Sequence, residues 1–460
     1  MDSDVIVVGA GLSGLVTAYR LQRSGLSVSV QVLESASRAG GVIGSVRCDG
    51  VLCELGPNSA MDTSPAINAL LDELGIRGQR VDASTAASRR YVVSGGRLMP
   101  LPNSPASFVT TPLFSTGAKL RLFAEPFIGR SPQGEEESVA QFVSRRLGRD
   151  FLDYAVEPFV SGIYAGDPQY LSLPAAFPRL HELEQRYGSL FVGALRTALG
   201  RRKEAAGKSK VKATSFSFRD GMQTLTDALA APLQIKYDAP ARQLARQDDG
   251  SWRVAAGEVV CSARAVVLAV PAHAAAPLVR AFAPGAAEAL AAISYAPIAI
   301  VVSAYRRVGV AHPLDGFGFL APAVERPNLL GTLFSSTMFA HRAEAGTVVF
   351  TSFLGGRRSP AQAAASDSEL LQTVRRELGR LVGVSGQPLK HRITRWPQAI
   401  PQYTFGHRER MAVVEQSERD WPGLFFCANY RGGVSISDCI SRGTETASIV
   451  ARHLGGAQRG

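Results

Sequence analysis

Cysteine is scarce in this 460-residue chain: there are five, Cys48, Cys53, Cys261, Cys427 and Cys439, and no Cys-x-x-Cys pair among them. An odd count without paired spacing argues against a disulfide framework and points to a reducing compartment. The seven histidines are scattered without metal-ligand spacing, so no metal is expected. No apolar run suits a bilayer span, since Glu288 and Pro297 interrupt the most apolar region, 286–304. Positive charge is in excess, +11 overall, yet it forms no single block, which leaves nucleic acid little to bind. The same excess suits anionic lipid headgroups or a polycarboxylate substrate, and a biased genome would produce it without any function.

What the chain does have is an opening built for a dinucleotide. Residues 5–15 (VIVVGAGLSGL) read as a buried parallel strand that runs into a glycine turn and a helix. Gly9 permits the tight turn, Gly11 leaves room for a pyrophosphate, and Gly14 lets the helix pack against the strand. The anion would rest on the unpaired N–H groups and positive end of that helix. Glu34 closes a second apolar strand (Val28, Val30, Val32) at the spacing where a carboxylate accepts ribose hydroxyls. Because the turn starts so near the initiator Met, no signal peptide is expected, and the expected location is cytoplasmic with at most peripheral membrane contact.

A chain of this length implies two or three domains. After the first βαβ unit, residues 65–74 read as a helix capped by Thr63 or Ser64, and 89–98 as a hairpin turning at Ser94-Gly95-Gly96. Residues 108–199 carry amphipathic helical stripes, among them Phe177, Leu180, Leu183, Tyr187, Phe191 and Leu195. One stretch, Leu113, Phe114, Leu120, Leu122, Phe123, Phe127 and Ile128 beside Lys119, Arg121 and Arg130, has the make-up of a bilayer-surface face, although buried packing is expected for most of it. The polar, basic run 200–212 reads as a linker. Beyond it come strands around 233–237, 265–270 and 424–429, a hairpin at Asp248-Asp-Gly250, and a strand-rich region from 293 to 353.

Arg38-Ala-Gly-Gly41 and Glu54-Leu-Gly56-Pro57-Asn58 add two more glycine turns to the dinucleotide turn, and the set resembles the FAD-binding arrangement of amine-oxidase-type flavoproteins. Four further blocks, 159–168 (FVSGIYAGDP), 331–336 (GTLFSS), 400–407 (IPQYTFGH) and 429–439 (NYRGGVSISDC), are similar in kind and order to the protoporphyrinogen oxidase family over nearly the whole chain. The resemblance implies an α/β (α+β mixed) fold. It would have a Rossmann-type FAD-binding domain (1–80, 213–285 and 413–460), an inserted mixed-sheet substrate domain (286–412) and a mainly helical domain (81–212) that is a candidate for membrane contact. It implies FAD as cofactor, a porphyrinogen as substrate and O2 as acceptor, and leaves a homodimer open.

Carried over, the resemblance places FAD against Gly9, Ala10, Gly11, Leu12, Ser13, Gly14, Glu34, Ser35, Arg38, Gly41, Val42, Gly56, Pro57, Asn58 and Ser59. It adds Ile235, whose backbone would face adenine, and Trp396, Gly433, Val434 and Ser435 beside the flavin ring. A helix starting after Gly433 would point its N–H groups at the negative charge of reduced flavin. Many relatives have Gly-Asp where this chain has Ala428-Asn429. For substrate the implied residues are Arg90, Asn58, Leu320, Leu333, Phe353 and Gly162, with Arg90 binding a propionate and Arg89 adjoining it. No catalytic side chain is implied: hydride passes to the flavin, and a pyrrole N–H of the substrate loses the proton. The rival readings are a coproporphyrinogen oxidase, whose substrate carries four carboxylates, and a flavin-dependent isomerase or mutase.

Overall fold

The computed structural model describes residues 2–131, 135–204 and 214–456. Ser3–Val8 lies at the centre of a seven-stranded sheet, parallel to Val30–Leu33 on one side and Val259–Leu268 on the other. Gln234–Lys236 extends it beyond Val30–Leu33, Leu424–Phe426 joins Val259–Leu268, and an antiparallel pair, Trp252–Ala256 and Ala241–Arg246, completes it. Alternation along the first strand sends Val5 and Val7 into one apolar cluster and Ile6 and Val8 into another, so both faces are sealed. The helix Leu12–Gln22 follows the glycine turn, and the C-terminal helix Ile436–Gly456 packs on it. A Cβ at Gly443 would stand 2.9 Å from Ser13 O and from Val16, so glycine there lets the two helices approach. The head of the last helix is thereby brought to the first turn of the chain.

The second seven-stranded sheet runs in the order Lys390–Pro401, Tyr295–Arg306, Thr347–Gly355, Gly331–Phe334, Gly316–Leu320, Arg89–Ser94, Arg97–Pro100. Its last two strands are the hairpin turned by Gly95 and Gly96, both at positive φ. The sequence reading groups residues 81–100 with the helical part, whereas Arg89–Ser94 pairs in parallel with Gly316–Leu320. That pairing joins residues more than 200 positions apart, which local pattern does not reveal. One face of the sheet is closed by the helix Asp367–Val382, which contributes Leu370, Val374, Leu378 and Leu381 to a cluster with Tyr91, Val301, Phe334 and Phe350. The other face turns toward the cofactor sheet.

The helical segment packs on the hairpin end of the second sheet, where Phe114 and Phe151 share a cluster with Val92 and Leu320. At its centre Arg146, fully buried, is paired with Glu125 at 3.0 Å and Glu184 at 2.6 Å. The stripe from 177 to 195 forms two helices, Pro178–Tyr187 and Leu190–Glu204, because Gly188 takes a left-handed conformation that ends the first. The second runs through 200–204, so that part of the linker expected over 200–212 is helical; residues 205–212 lie outside the described residues. The expectation of buried packing for 113–128 also fails. Leu113 and Phe114 are buried, but Leu120, Phe123 and Phe127 are 63%, 79% and 89% exposed. No helix among the described residues is long and apolar enough to cross a membrane.

Candidate active site

A cavity of about 380 Å³ runs along the C-terminal edge of the first sheet. Gly9, Gly11, Leu12, Ser13, Glu34, Ser35, Gly41, Val42, Pro57 and Val434 line it. A Cβ at Gly14 would overlap Gly9 O, whereas one at Gly11 would meet nothing within 4 Å. The helix is therefore pressed against its turn while space stays open over Gly11, where the diphosphate of a dinucleotide rests. The Glu34 carboxylate is fixed by Ala10 N at 2.7 Å on Oε2 and by Ala36 N at 2.8 Å and Ser35 Oγ at 3.2 Å on Oε1, which leaves Oε2 with acceptor capacity for a ribose hydroxyl. A narrow cleft reaching from an acidic residue past a diphosphate cradle to the head of a second helix fits FAD.

Other expected cofactor residues act from behind the wall. Arg38 donates to Ala39 O, Ile43 O and Gly41 O, so it braces the loop that forms the wall instead of facing the cavity. Gly56 has no room for a Cβ against Val42 O, which joins the two later turns edge to edge. Trp396 donates from Nε1 to Leu55 O at 2.6 Å, buttressing the same turn from the second sheet. Ala10, Gly14 and Ser59 also lie outside the lining.

Ile235 is displaced from its expected place. Its strand is paired with Val30–Leu33, and the side chain borders a separate depression with Arg38 and Tyr237. The chain reaches the cavity only after Asp238, at φ +53°, turns it; the wall there is Ala239, Pro240 and Ala241. Sequence reasoning missed those three, and the Asp-Ala-Pro turn directly after an apolar strand was the available signal.

The head of the C-terminal helix differs from expectation too. Val434, Ile436 and Cys439 face the cavity, but Gly433 and Ser435 open onto an outer groove. Ser435 N donates to Asp438 Oδ2 and Asp438 N donates to Ser435 Oγ, both at 3.1 Å, while Gly433 N donates to Tyr403 OH at 2.9 Å. Three of the N–H groups expected to face the flavin are thus satisfied within the protein, and a carboxylate sits in the first turn. Tyr403 OH in turn donates to Asn429 O at 2.7 Å, which fixes the segment that departs from Gly-Asp. His407 stacks on Tyr403 at 4.2 Å; burial lowers its pKa to about 4, so it is a neutral brace. Burial likewise pushes the Cys439 thiol up to about 12, which keeps a thiolate out of the cavity.

The second sheet presents two rows on the face toward this cavity. Register puts Arg90, Gly318, Leu333 and Thr351 in one row, and Val92, Leu320, Gly331 and Phe353 in the next. Gly318 and Gly331 are themselves buried, with no room for a Cβ against the backbone of the neighbouring strand, and the half-buried Leu320, Leu333 and Phe353 make up the accessible part of the rows. Opposite, the helix Glu157–Tyr164 exposes Phe159, Gly162 and Ile163, and a Cβ at Gly162 would stand 3.0 Å from Leu320. The result is a flat apolar slot.

Its two ends are polar. At the outer end Arg90 has no acidic partner among the described residues and lies 5.5 Å from the centre of the Phe317 ring. Arg89 points to the other face, tied to Asp315 at 2.6 Å, and Asp315 also accepts from Tyr91 OH at 2.6 Å. At the inner end Asn58 donates from Nδ2 to Thr351 at 3.1 Å and Ser335 at 3.4 Å, next to Pro57 on the cavity wall. Three strand spacings of about 4.8 Å put these ends roughly 14 Å apart. Phe317, Ser335 and Thr351 were not foreseen, since in sequence they are ordinary strand and turn residues.

A nucleotide-binding sheet with its glycine turn, Glu34 and long edge cavity, beside a second seven-stranded sheet, defines a mixed α/β flavoprotein oxidoreductase. The family model for flavin containing amine oxidoreductase matches residues 12–451, and the chain belongs to that family. Relatives to which it is similar include proteins named for porphyrinogen oxidation. It is 34% identical to Protoporphyrinogen oxidase 2 of Arabidopsis thaliana, over 98% of this chain and 94% of that one. It is 26% identical to Coproporphyrinogen III oxidase of Bacillus subtilis, over 98% of both. Among solved structures, a protein of Exiguobacterium sp. 255-15 superposes with a TM-score of 0.83 at 23% identity over 99% of each chain.

Proposed function

We propose that the protein oxidises protoporphyrinogen IX to protoporphyrin IX, a six-electron step in which dioxygen is reduced to hydrogen peroxide. Bound flavin supplies the hydride acceptor and passes the electrons on to dioxygen. The observation that carries this reading is the slot: an apolar face of Leu320, Leu333 and Phe353, with the Arg90 guanidinium, unpaired by any acid among the described residues, at one end and the cofactor wall at the other. A planar macrocycle lies flat on such a floor with a propionate on the bidentate fork of Arg90, which directs the opposite edge of the ring to the flavin. The apolar walls exclude water from a substrate that oxidises readily in solution.

Arg90 is the single charge on the two rows between the hairpin and Thr351, which favours a dicarboxylate over a tetracarboxylate. The higher identity to a protoporphyrinogen oxidase points the same way. The test is a side-by-side fluorescence assay of the two porphyrinogens in air, with peroxide measured in parallel. A higher kcat/KM for protoporphyrinogen is expected. Preference for coproporphyrinogen would overturn the choice of substrate, and no porphyrin from either would leave the mutase reading.

The exposed Leu120, Phe123 and Phe127, with Arg121 and Arg130 on the same segment, are the proposed contact with an anionic bilayer. Phe127→Glu should abolish co-sedimentation with phosphatidylglycerol vesicles while turnover of detergent-dispersed substrate persists.

A further inference from the structure

We propose that Tyr403 is a positioning residue for the flavin half of the cofactor: its hydroxyl ties Asn429 to Gly433 and so sets the stretch of cavity wall that Asn429 and Val434 form. The device acts on the cofactor and is independent of which porphyrinogen is oxidised.

The loop concerned joins the strand Leu424–Phe426 to the C-terminal helix, and both Asn429 and Val434 line the cofactor cavity. Glu34, which offers an oxygen to the adenosine ribose, stands at the end of Val30–Leu33. Leu424–Phe426 lies on the far side of that strand, beyond Ser3–Val8 and Val259–Leu268, so the loop after it borders the other half of the dinucleotide. The loop has little stiffness of its own. Gly432 and Gly433 take φ values of +86° and +122°, a region glycine reaches freely but at the largest loss of conformational freedom on ordering. Neither can be replaced by a stiffer residue, because Arg442 Nη2 lies 2.6 Å from where a Cβ on Gly432 would stand and the Asp438 carboxylate fills that place on Gly433.

Tyr403 supplies the restraint from outside. Its hydroxyl accepts from Gly433 N at 2.9 Å and donates to Asn429 O at 2.7 Å, so one oxygen closes the loop at both ends. Doing both requires the protonated phenol, and burial holds its pKa well above the ordinary value. The side chain is itself immobilised: the residue is 3% exposed, the ring stacks on His407, and the main-chain oxygen accepts from Ser172 N at 2.8 Å. His407 Nε2 donates to Tyr430 O at 2.9 Å, which adds a third tie to the same loop. All three ties come from residues just after the strand Lys390–Pro401 of the second sheet. Without the hydroxyl, a partly buried N–H and C=O lose their partner, and leaving such groups unpaired costs more than the bond itself contributes. The loop then shifts to pair them again, and it carries along Asn429, which is one of the tied residues, and Val434, which adjoins the other.

The experiment compares Tyr403→Phe with Tyr164→Phe. Tyr164 lies 5.8 Å from Tyr403, ring to ring, and its buried hydroxyl donates to Ala176 O, outside the loop. Affinities of the deflavinated full-length chain are measured for FAD and for ADP, which lacks the flavin half, and visible circular dichroism of the flavin-loaded chain reads the surroundings of the ring. Tyr403→Phe should weaken FAD binding about tenfold, the scale of one buried hydrogen bond, leave ADP binding within about twofold, and alter the visible circular dichroism. Tyr164→Phe should change none of these. Unchanged FAD affinity, equal losses for FAD and ADP, or the same losses in Tyr164→Phe would overturn the proposal. His407→Phe keeps the Tyr403 hydroxyl and drops the tie to Tyr430 O, so it should give a smaller loss confined to FAD. Should Tyr403→Phe fail to accumulate, His407→Phe decides by the same criteria. Failure of the porphyrinogen assay would overturn the choice of substrate and leave these outcomes to stand or fall by themselves.

Discussion

The two seven-stranded sheets solve opposite problems. The cofactor sheet buries both faces, with Val5 and Val7 on one side and Ile6 and Val8 on the other, and places its ligand at an edge where strands give way to turns. The substrate sheet buries one face under the helix Asp367–Val382 and leaves two rows of the other to form the floor of a slot. A site at a sheet edge depends on backbone geometry and hence on glycine. A site on a sheet face depends on which side chains stand in its rows, as Leu320, Leu333 and Phe353 illustrate. Cofactor changes should therefore act all-or-none, and substrate changes should be graded.

The largest effect expected follows from the first half of that contrast. Gly14→Val places two methyl groups where even a Cβ overlaps Gly9 O, so the helix must leave the turn and the diphosphate cradle is lost. The purified variant should carry less than about a tenth of the wild-type flavin absorbance, more than 1.4 kcal/mol in binding terms. Normal yellow colour would show that the cradle tolerates displacement and would erase the distinction.

Next comes the brace behind the C-terminal helix, where Tyr403 links the helix head to His407. The folded pKa of His407 is about 4 against an ordinary 6.5. Above pH 6.5 folded and unfolded chains are both neutral there, and the group contributes no pH dependence. As the pH falls from 6.5 to 4 the unfolded chain takes up a proton that the folded chain refuses, so stability drops by up to about 3 kcal/mol, and no further from this group below pH 4. His407→Phe keeps the stack on Tyr403, loses the bond to Tyr430 O, and should flatten the Tm profile between those limits. An unchanged slope would place the acid sensitivity elsewhere.

How far the chain could be read without its structure divides along the same line. Strand, turn, helix and Glu34 were legible because they are contiguous, and their spacing is dictated by one ligand's diphosphate and ribose. The substrate face was legible only through family resemblance, for its rows are assembled from the hairpin at 89–100 and strands beyond 315, with nothing local to mark them. Ile235 went astray because an apolar strand residue looks equally plausible before and after the turn at Asp238 that decides the matter. Leu120, Phe123 and Phe127 were expected mostly to pack inside, with a bilayer-surface face as the other reading, because amphipathic spacing reports that one face of a helix is apolar and is silent about what covers it. A buried ion pair, Glu54 with Arg342, joins residues 288 positions apart, and no spacing rule anticipates it.

The finest contrast is between neighbours in one strand. Arg89 and Arg90 are chemically identical and adjacent, and the two-residue period of a strand sends them to opposite faces. Arg89 is more than half exposed and already engaged with Asp315, and an exposed pair of that kind is worth at most about 1 kcal/mol, none of it spent on ligand. Arg90 has its guanidinium free beside Phe317 at the mouth of the slot. Removing a charge-assisted bond to a propionate costs about 1.5–3 kcal/mol, so Arg90→Ala should raise KM for protoporphyrinogen roughly ten- to a hundredfold at unchanged flavin content. Arg89→Ala should leave KM within about twofold and lower Tm by no more than a few degrees. Equal effects on KM would mean that substrate meets the diffuse charge of the hairpin, and the slot would lose its claim to orient the ring; a rise confined to Arg90 ties recognition to one face of one strand.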